Sequence, residues 1–364
     1  MSMTYSCGPA GSHGSLSAKG KKAGKKRHFT VDIHCHVLSE GAHKEVGTLY
    51  DPKSDPIWIF SNDLTRDVNQ RQMAGLVPKL TSLDVRLKDM DKAGIDVQAI
   101  SPAPHQYYYW TEPDIGRRAA QANNDNIADI VAKHPDRFVG LATVPLQSPE
   151  LAVKELERCM KKLDFRGVEI ATNIGGVELS DKRFAKFFAK AEELGALIFM
   201  HPIGTSEGRR MTEHYFANIV GHPFESSLAI SHLIFGGVLD KHPKLKICVA
   251  HGGGYLPFYT GRMDHAHAAR EDCRTCITKK PSSYLKKQVY FDTVLFNRHA
   301  LEYLVAEYGR EHVLLGTDYP YDMAEVDPVG FIDGAMLSDE EKAAVMGGNA
   351  ARLLKIKKPR KSSR

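Results

Sequence analysis

Five residues share one kind of address. His34, His36, His201, His251 and Asp318 each lie at the downstream end of a short apolar run. Those runs cover residues 29–33, 196–200, 245–250 and 313–315, the last followed by Gly316-Thr317. Imidazole nitrogens and a carboxylate oxygen that converge on one point are what Zn²⁺ binding requires. In His34-Cys35-His36 the two imidazoles are two residues apart, so on a strand they face the same way and Cys35 faces the other. Taken singly, each residue has a plainer explanation. His201 suits a satisfied strand-end histidine, and Asp318 suits a helix cap. Taken together, His34, His36, His201 and Asp318 make a set of three imidazoles, one carboxylate and an open position for water. Another divalent ion such as Mn²⁺ suits the same donors. His251 opens the run His251-Gly252-Gly253-Gly254. It is a candidate fifth ligand, general acid/base or helix-opening residue. The acid/base role ranks first: the four-residue set plus water fills a metal shell, and a reaction there still needs a proton shuttle with a pKa near neutrality.

These residues meet only if a particular architecture brings them together. From residue 28 onward, apolar runs alternate with helical patterns. The runs are 29–33, 97–101, 138–144, 168–171, 196–200, 245–250, 289–294 and 313–317. Most are continuously apolar, as strands buried on both faces of a parallel sheet are. Leu83, Val85, Leu87, Met90 and Ala93 fall near helical spacing. Ser148-Pro149 reads as an N-cap and first turn for a helix through residue 163. Residues 180–194 and 301–308 read likewise. Strand then helix, eight times, predicts an α/β fold of the (β/α)8 TIM-barrel type, whose active site lies at the downstream ends of the strands. Residues 39–80, 104–116 and 203–221 are too long for minimal βα loops, so they predict insertions on the catalytic face.

Length and composition agree with one catalytic domain. The chain has 364 residues, 42% of them hydrophobic, and α/β barrels commonly run this long. No apolar run reaches 18 residues, so no membrane span is expected. The Gly- and Ser-rich start has no signal-peptide core, and six scattered cysteines suit a reducing cytoplasm. The net charge is +5, but residues 1–27 and 355–364 each carry six basic residues and no acid, which leaves the body at −7. The basic balance therefore belongs to tails flanking a 28–354 barrel. No recognition motif or interleaved aromatics accompany the lysines, so nucleic acid is not an expected partner.

Several motifs sharpen this reading. His34-Cys35-His36, Arg137-Phe138-Val139-Gly140-Leu141, Glu150-Leu151-Ala152-Val153-Lys154-Glu155, Ala250-His251-Gly252-Gly253-Gly254 and Leu315-Gly316-Thr317-Asp318-Tyr319-Pro320 resemble the amidohydrolase superfamily. Within it they are similar to the aminocarboxymuconate semialdehyde decarboxylase branch, from about residue 29 to 354. The resemblance implies one Zn²⁺ at His34, His36, His201 and Asp318, with His251 assisting the water. It also implies a homodimer in which Arg262 reaches the partner's site and holds a substrate carboxylate. Other members of the superfamily bridge two metals with a strand-four lysine. Here that run is Gly167-Val168-Glu169-Ile170-Ala171-Thr172, without lysine, which favours one metal.

The chain also departs from the branch where substrate would bind. The branch's second carboxylate-binding arginine has no clean match, and Arg66 and Arg71 are the nearest candidates. Ile203 replaces an aromatic after the strand-five histidine, and Tyr321 stands for the phenylalanine of the strand-eight loop. Trp110, with Tyr107, Tyr108 and Tyr109, is a candidate stacking wall for a planar acid, or plain loop packing. Arg262, read on a helix continuing from His251, would lie up to roughly 16 Å along it, too far to serve its own metal. Its plainer reading is a surface pair with Asp264. Cys273-x-x-Cys276 has no second pair nearby, so it carries little weight as a metal site. The expected activity is a zinc-dependent, non-oxidative decarboxylation of an unsaturated or aromatic carboxylic acid. The alternative is hydrolysis or hydration of a lactone, amide or conjugated acid by the same water. A non-enzymatic metal-binding protein is the third reading; it predicts that His251 and Asp318 do not face one open position.

Overall fold

The computed structural model describes residues 27–357. Eight parallel strands form one sheet: β1 (Val31–Val37), β2 (Val97–Pro102), β3 (Phe138–Ala142), β4 (Gly167–Ile170), β5 (Leu197–Met200), β6 (Lys246–Val249), β7 (Val289–Asp292) and β8 (Val313–Leu314). They lie side by side in sequence order. The sheet closes on itself between β1 and the segment following β8. Ile33 N–H donates to Leu315 O at 2.9 Å and His36 N–H to Tyr319 O at 2.8 Å. This is the (β/α)8 barrel expected from the alternation of runs.

The barrel interior is filled. Val31, Ile33, Ala99, Leu141, Phe199 and Leu314 pack there, with Leu353 of the last helix and Leu354 just after it against the same cluster. A larger cluster joins the outward faces of the strands to the helices. Local chemistry sets several helix ends. Leu83–Ala93 starts where Ser82 Oγ accepts from Val85 N and stops at Gly94, whose φ of 73° is left-handed. The helix at Pro149–Lys162 has Ser148 at its N-cap position as expected, but the Ser148 side chain makes no capping bond.

Two expectations change. The long insertion after β1 is largely helical, with helices at Glu40–Val46, Pro56–Ile59 and Asp63–Thr81. In Asp63–Thr81 only Leu80 is buried, so this helix carries no apolar stripe for sequence reading to find. The helix bearing Arg262 begins at Thr260, after two 3-10 turns at His251–Gly253 and Leu256–Phe258. Arg262 is therefore in the first turn, and the continuous-helix span from His251 does not exist. The tail assignments, 1–27 and 355–364, fall almost wholly outside the described residues. Arg27 is an exception: its guanidinium pairs with Asp96 at 2.9 Å.

Candidate active site

The strand-end residues converge. His34, His201, His251 and Asp318 offer ligand atoms that all lie within 4.8 Å of one another. His34 Nε2 is 3.1 Å and His36 Nε2 is 3.3 Å from Asp318 Oδ1. The His36 and His201 rings are 5.0 Å apart. His251 Nε2 lies 3.4 Å from the other carboxylate oxygen, Asp318 Oδ2. By distance alone His251 stands as close to the cluster as the other histidines do.

The first strand reaches this arrangement by breaking its own alternation. Val31 and Ile33 face the barrel interior, whereas Cys35 and Val37 pack in the outer cluster. Pairing with β2 shifts register between Asp32 and Cys35. Asp32 Oδ1 accepts from His34 N at 3.1 Å inside that irregularity. The shift turns His34 and His36 toward the interior, the re-aiming that strand irregularities beside active sites provide. Cys35, as expected, faces the helices.

A second carboxylate supports the cluster from beneath. Asp292, at the end of β7, is fully buried. Its Oδ2 lies 2.6 Å from His34 Nδ1 and accepts from His251 N at 3.0 Å, while Oδ1 accepts from Gly252 N at 2.7 Å. It fixes His34 so that Nε2 points to the cluster, and it ties the His251 turn to the same point. Gly316 makes room for this: a Cβ there would come within 2.9 Å of Asp292 Cβ and 3.0 Å of His34 Cβ. His251 and Asp318 both hold left-handed backbone, with φ of 55° and 63°. Non-glycine residues seldom do so, and such strain gathers at functional sites.

Electrostatics match a cation site. Burial pushes His34 down, but Asp318 and Asp292 outweigh it and raise its pKa to about 10. Burial would raise Asp318, but His34, His251 and His36 hold it well below the usual carboxylate range. Burial among like-charged histidines drives His201 far down. His34 Nε2, His36 Nε2, both His201 nitrogens and Asp318 Oδ1 are buried without a hydrogen-bond partner. Buried polar atoms are rarely left so. Such donors gathered at one strand-end rim fit a divalent metal: His34, His201, His251 and Asp318 can all offer it a ligand atom, and His36 Nε2 stands beside them at 3.3 Å from Asp318 Oδ1.

The expected substrate residues divide. Tyr321 lies against His36, ring centroids 5.4 Å apart. Trp110 is 51% exposed and meets Tyr108 edge-on, ring centroids 6.2 Å apart. The aromatic loop instead turns Tyr107 and Tyr109 inward, both buried, with rings stacked at 5.5 Å. Tyr108, at φ 50°, sits between them and Trp110. Arg262 is exposed and makes no ion pair among the described residues, while Asp264, its plainer partner, accepts from Ser282. Arg66 is engaged by Trp58 O and Asp63, and Arg71 is exposed.

Sequence reading missed three residues. Asp292 lay inside run seven, taken as continuing to residue 294, although it occupies the strand-end address of the other site residues. Glu169 was noted only for not being lysine; it is fully buried beside His36. His222 follows a loop and carried no strand-end signal, yet its ring stacks on His251 at 5.9 Å. Burial, with His251 nearby, lowers its pKa to about 3.

Comparison with known proteins agrees with this geometry. The chain is 37% identical over 273 residues to the 2-amino-3-carboxymuconate-6-semialdehyde decarboxylase of Dictyostelium discoideum, covering 74% of this chain and 76% of that one. Its fold matches the 5-carboxyvanillate decarboxylase of Sphingomonas paucimobilis with a TM-score of 0.82 at 27% identity, over 91% of this chain and 100% of that one. A 5-carboxyvanillate decarboxylase from Novosphingobium aromaticivorans, complexed with manganese and a nitrobenzoic acid, matches with a TM-score of 0.81 at 25% identity, over 93% of this chain and 98% of that one. The amidohydrolase family matches residues 31–356, a stretch that holds every strand and every residue of the cluster. The chain belongs to the amidohydrolase family and is a metal-dependent enzyme of that family.

Proposed function

We propose that the protein is a zinc-dependent, non-oxidative decarboxylase of an aromatic or unsaturated carboxylic acid. The observation that carries this reading is the cluster of orphaned donors at the barrel mouth, in a chain several of whose relatives are decarboxylases. His34, His36, His201 and Asp318 would hold the metal. When bound, it supplies a Lewis acid that stabilises negative charge on a substrate oxygen. The residues of the chain do the rest. Tyr321, with the inward Tyr107 and Tyr109, walls the space beside His36 and excludes water from one face of a planar substrate. His251 Nε2, held by Asp292 through its backbone and facing Asp318, relays a proton to the carbon that bears the carboxylate. The bond to the carboxylate then breaks, its electron pair returns to the conjugated system, and CO₂ leaves. One proton is taken up for each CO₂ released.

The test is a screen of carboxylic acids for CO₂ release, with zinc-loaded and metal-free protein. Release from at least one aromatic or unsaturated acid by the loaded form alone is expected. Turnover of lactones or amides with no CO₂ from any acid would replace this reading with hydrolysis.

The active unit is proposed as a homodimer. Arg262 projects from a surface where Tyr255, Phe258 and Tyr259 are also exposed, at 48%, 38% and 67%. Unpaired and beside apolar surface, it suits a contact with a second copy, whose substrate carboxylate it would bind in bidentate fashion. An Arg262→Ala chain mixed with a His251→Ala chain should regain activity, because one site of each hybrid is whole. Hybrids that form without recovery would confine Arg262 to its own subunit. Five free cysteines among the described residues suit a reducing cytoplasm.

A further inference from the structure

A buried charge stands outside the cluster of donors. Arg86, on the helix Leu83–Ala93, is 2% exposed and makes no ion pair among the described residues. Its guanidinium donates instead to Gln98 Oε1 on β2 at 2.9 Å, to His36 O on β1, and to Lys79 O at 3.4 Å. It also lies over the Tyr319 ring, 4.8 Å from the centroid. Gln98 extends the contact: its Nε2 donates to Asp32 Oδ2 at 3.1 Å. Asp32 is fully buried. It accepts from His34 N and Thr317 N, each at 3.1 Å, and from Thr317 Oγ1 at 2.8 Å. The Tyr319 hydroxyl returns to the same helix, donating to Asp89 Oδ2 at 2.8 Å. The network thus starts on one helix and ends on two chain segments, residues 32–36 and 317–319. Those segments carry His34, His36 and Asp318. Burying a guanidinium with no carboxylate against it is costly, and an apolar side chain would fill the same volume more cheaply. A buried polar network that is fully satisfied, however, fixes one arrangement of the chain.

We propose that Arg86 is a positioning residue: its guanidinium locks the end of β1 and the segment after β8 in one mutual register, so that His36 and Asp318 face the same point. The planar fork suits this task. It donates in several directions at once while its face takes an aromatic ring, which a lysine ammonium cannot do. Arg86 reaches the site only through the His36 carbonyl, Tyr319 and the Gln98–Asp32 link. The inference rests on the metal centre and not on which reaction occurs there.

The test reads Zn²⁺ affinity by competition with a chromophoric chelator, and ligand geometry from the visible spectrum of Co²⁺-loaded protein. Arg86→Ala should weaken Zn²⁺ binding roughly 10- to 100-fold, as loss of an outer partner of metal ligands does, and should alter the Co²⁺ spectrum. Guanidinium ion below denaturing concentration should restore both by occupying the vacated place. Methylammonium, a cation without the fork, should not. Arg86→Lys should stay weakened for the same reason, and it decides the matter if Arg86→Ala does not fold. A lower melting temperature of the metal-free protein, with Zn²⁺ affinity and Co²⁺ spectrum unchanged, would assign Arg86 to the fold and overturn the proposal. Equal recovery with methylammonium would also overturn it, since charge alone would then suffice. No readout here depends on turnover. The positioning role therefore stands or falls separately from whether any acid loses CO₂.

Discussion

The two ends of the same eight strands obey opposite rules. At the lower end the interior is mainly apolar and closed, with Val31, Leu141, Leu197 and Leu314 at or near zero exposure. At the upper end, a few residues further along the same strands, sit His34, His36 and His201 with buried nitrogens lacking partners. The lower end stabilises the barrel through area removed from water. The upper end holds groups that a folded chain alone would not keep in that state. Unsatisfied polarity confined to one rim of a well-packed barrel separates the part that does chemistry from the part that carries it.

Substitutions at the two ends should therefore fail differently. His201→Ala is expected to have the largest effect: loss of the metal, seen by elemental analysis, and a fall in CO₂ release of more than about 10⁴-fold, beyond what a lost proton shuttle costs. His251→Ala should lose roughly 10²- to 10⁴-fold in turnover yet retain the metal. Loss of metal as ready as in His201→Ala would make His251 a ligand and redraw the site. At the lower end, Leu141→Ala should cost about 2–5 kcal/mol of stability, read from denaturant unfolding, with turnover below the melting range nearly unchanged. An equal loss of kcat in the folded variant would mean the two ends are not separable. Asp292→Asn lies between them and should weaken metal binding roughly 10- to 100-fold. It should also change the pH dependence. A metal must displace the proton that Asp318 and Asp292 hold on His34, whose pKa is raised to about 10. Affinity in the unsubstituted protein should thus climb with pH, by up to about tenfold per unit below that value. With one of the two carboxylates neutralised, the climb should level off at lower pH. Metal titrations from pH 6 to 9 would show whether it does.

Much of this was legible in the residues because buried parallel strands write themselves as unbroken apolar runs. The residue that ends such a run has only one place to go. His34, His201 and Asp318 could be placed by that logic, and so could the closed barrel. Legibility stopped where position depends on contacts rather than periodicity. Asp63–Thr81 is a helix with almost nothing buried, so its pattern resembles a loop. Trp110 and Tyr107 are three residues apart in one loop; which turns inward depends on backbone reversals at residues 104–108 that side-chain chemistry does not announce. Glu169 was in plain view but weighed only as a missing lysine. A carboxylate inside an apolar run was itself a signal, since burying one without reason is expensive.

The irregularity in β1 has a consequence for how this strand tolerates change. Plain alternation carried upward from Val31 and Ile33 would hand the interior seats to Cys35 and Val37 and point both imidazoles into the helix layer. The register shift between Asp32 and Cys35 works as a change of reading frame in three dimensions. Below it the strand is read for volume, above it for nitrogen donors, and the two messages occupy opposite parities. Exchanges of size at Val31 or Ile33 leave the upper message intact. A single residue inserted or removed between Asp32 and Cys35 would scramble it, replacing two imidazoles with a thiol and a methyl-bearing wall while leaving the composition of the strand almost the same.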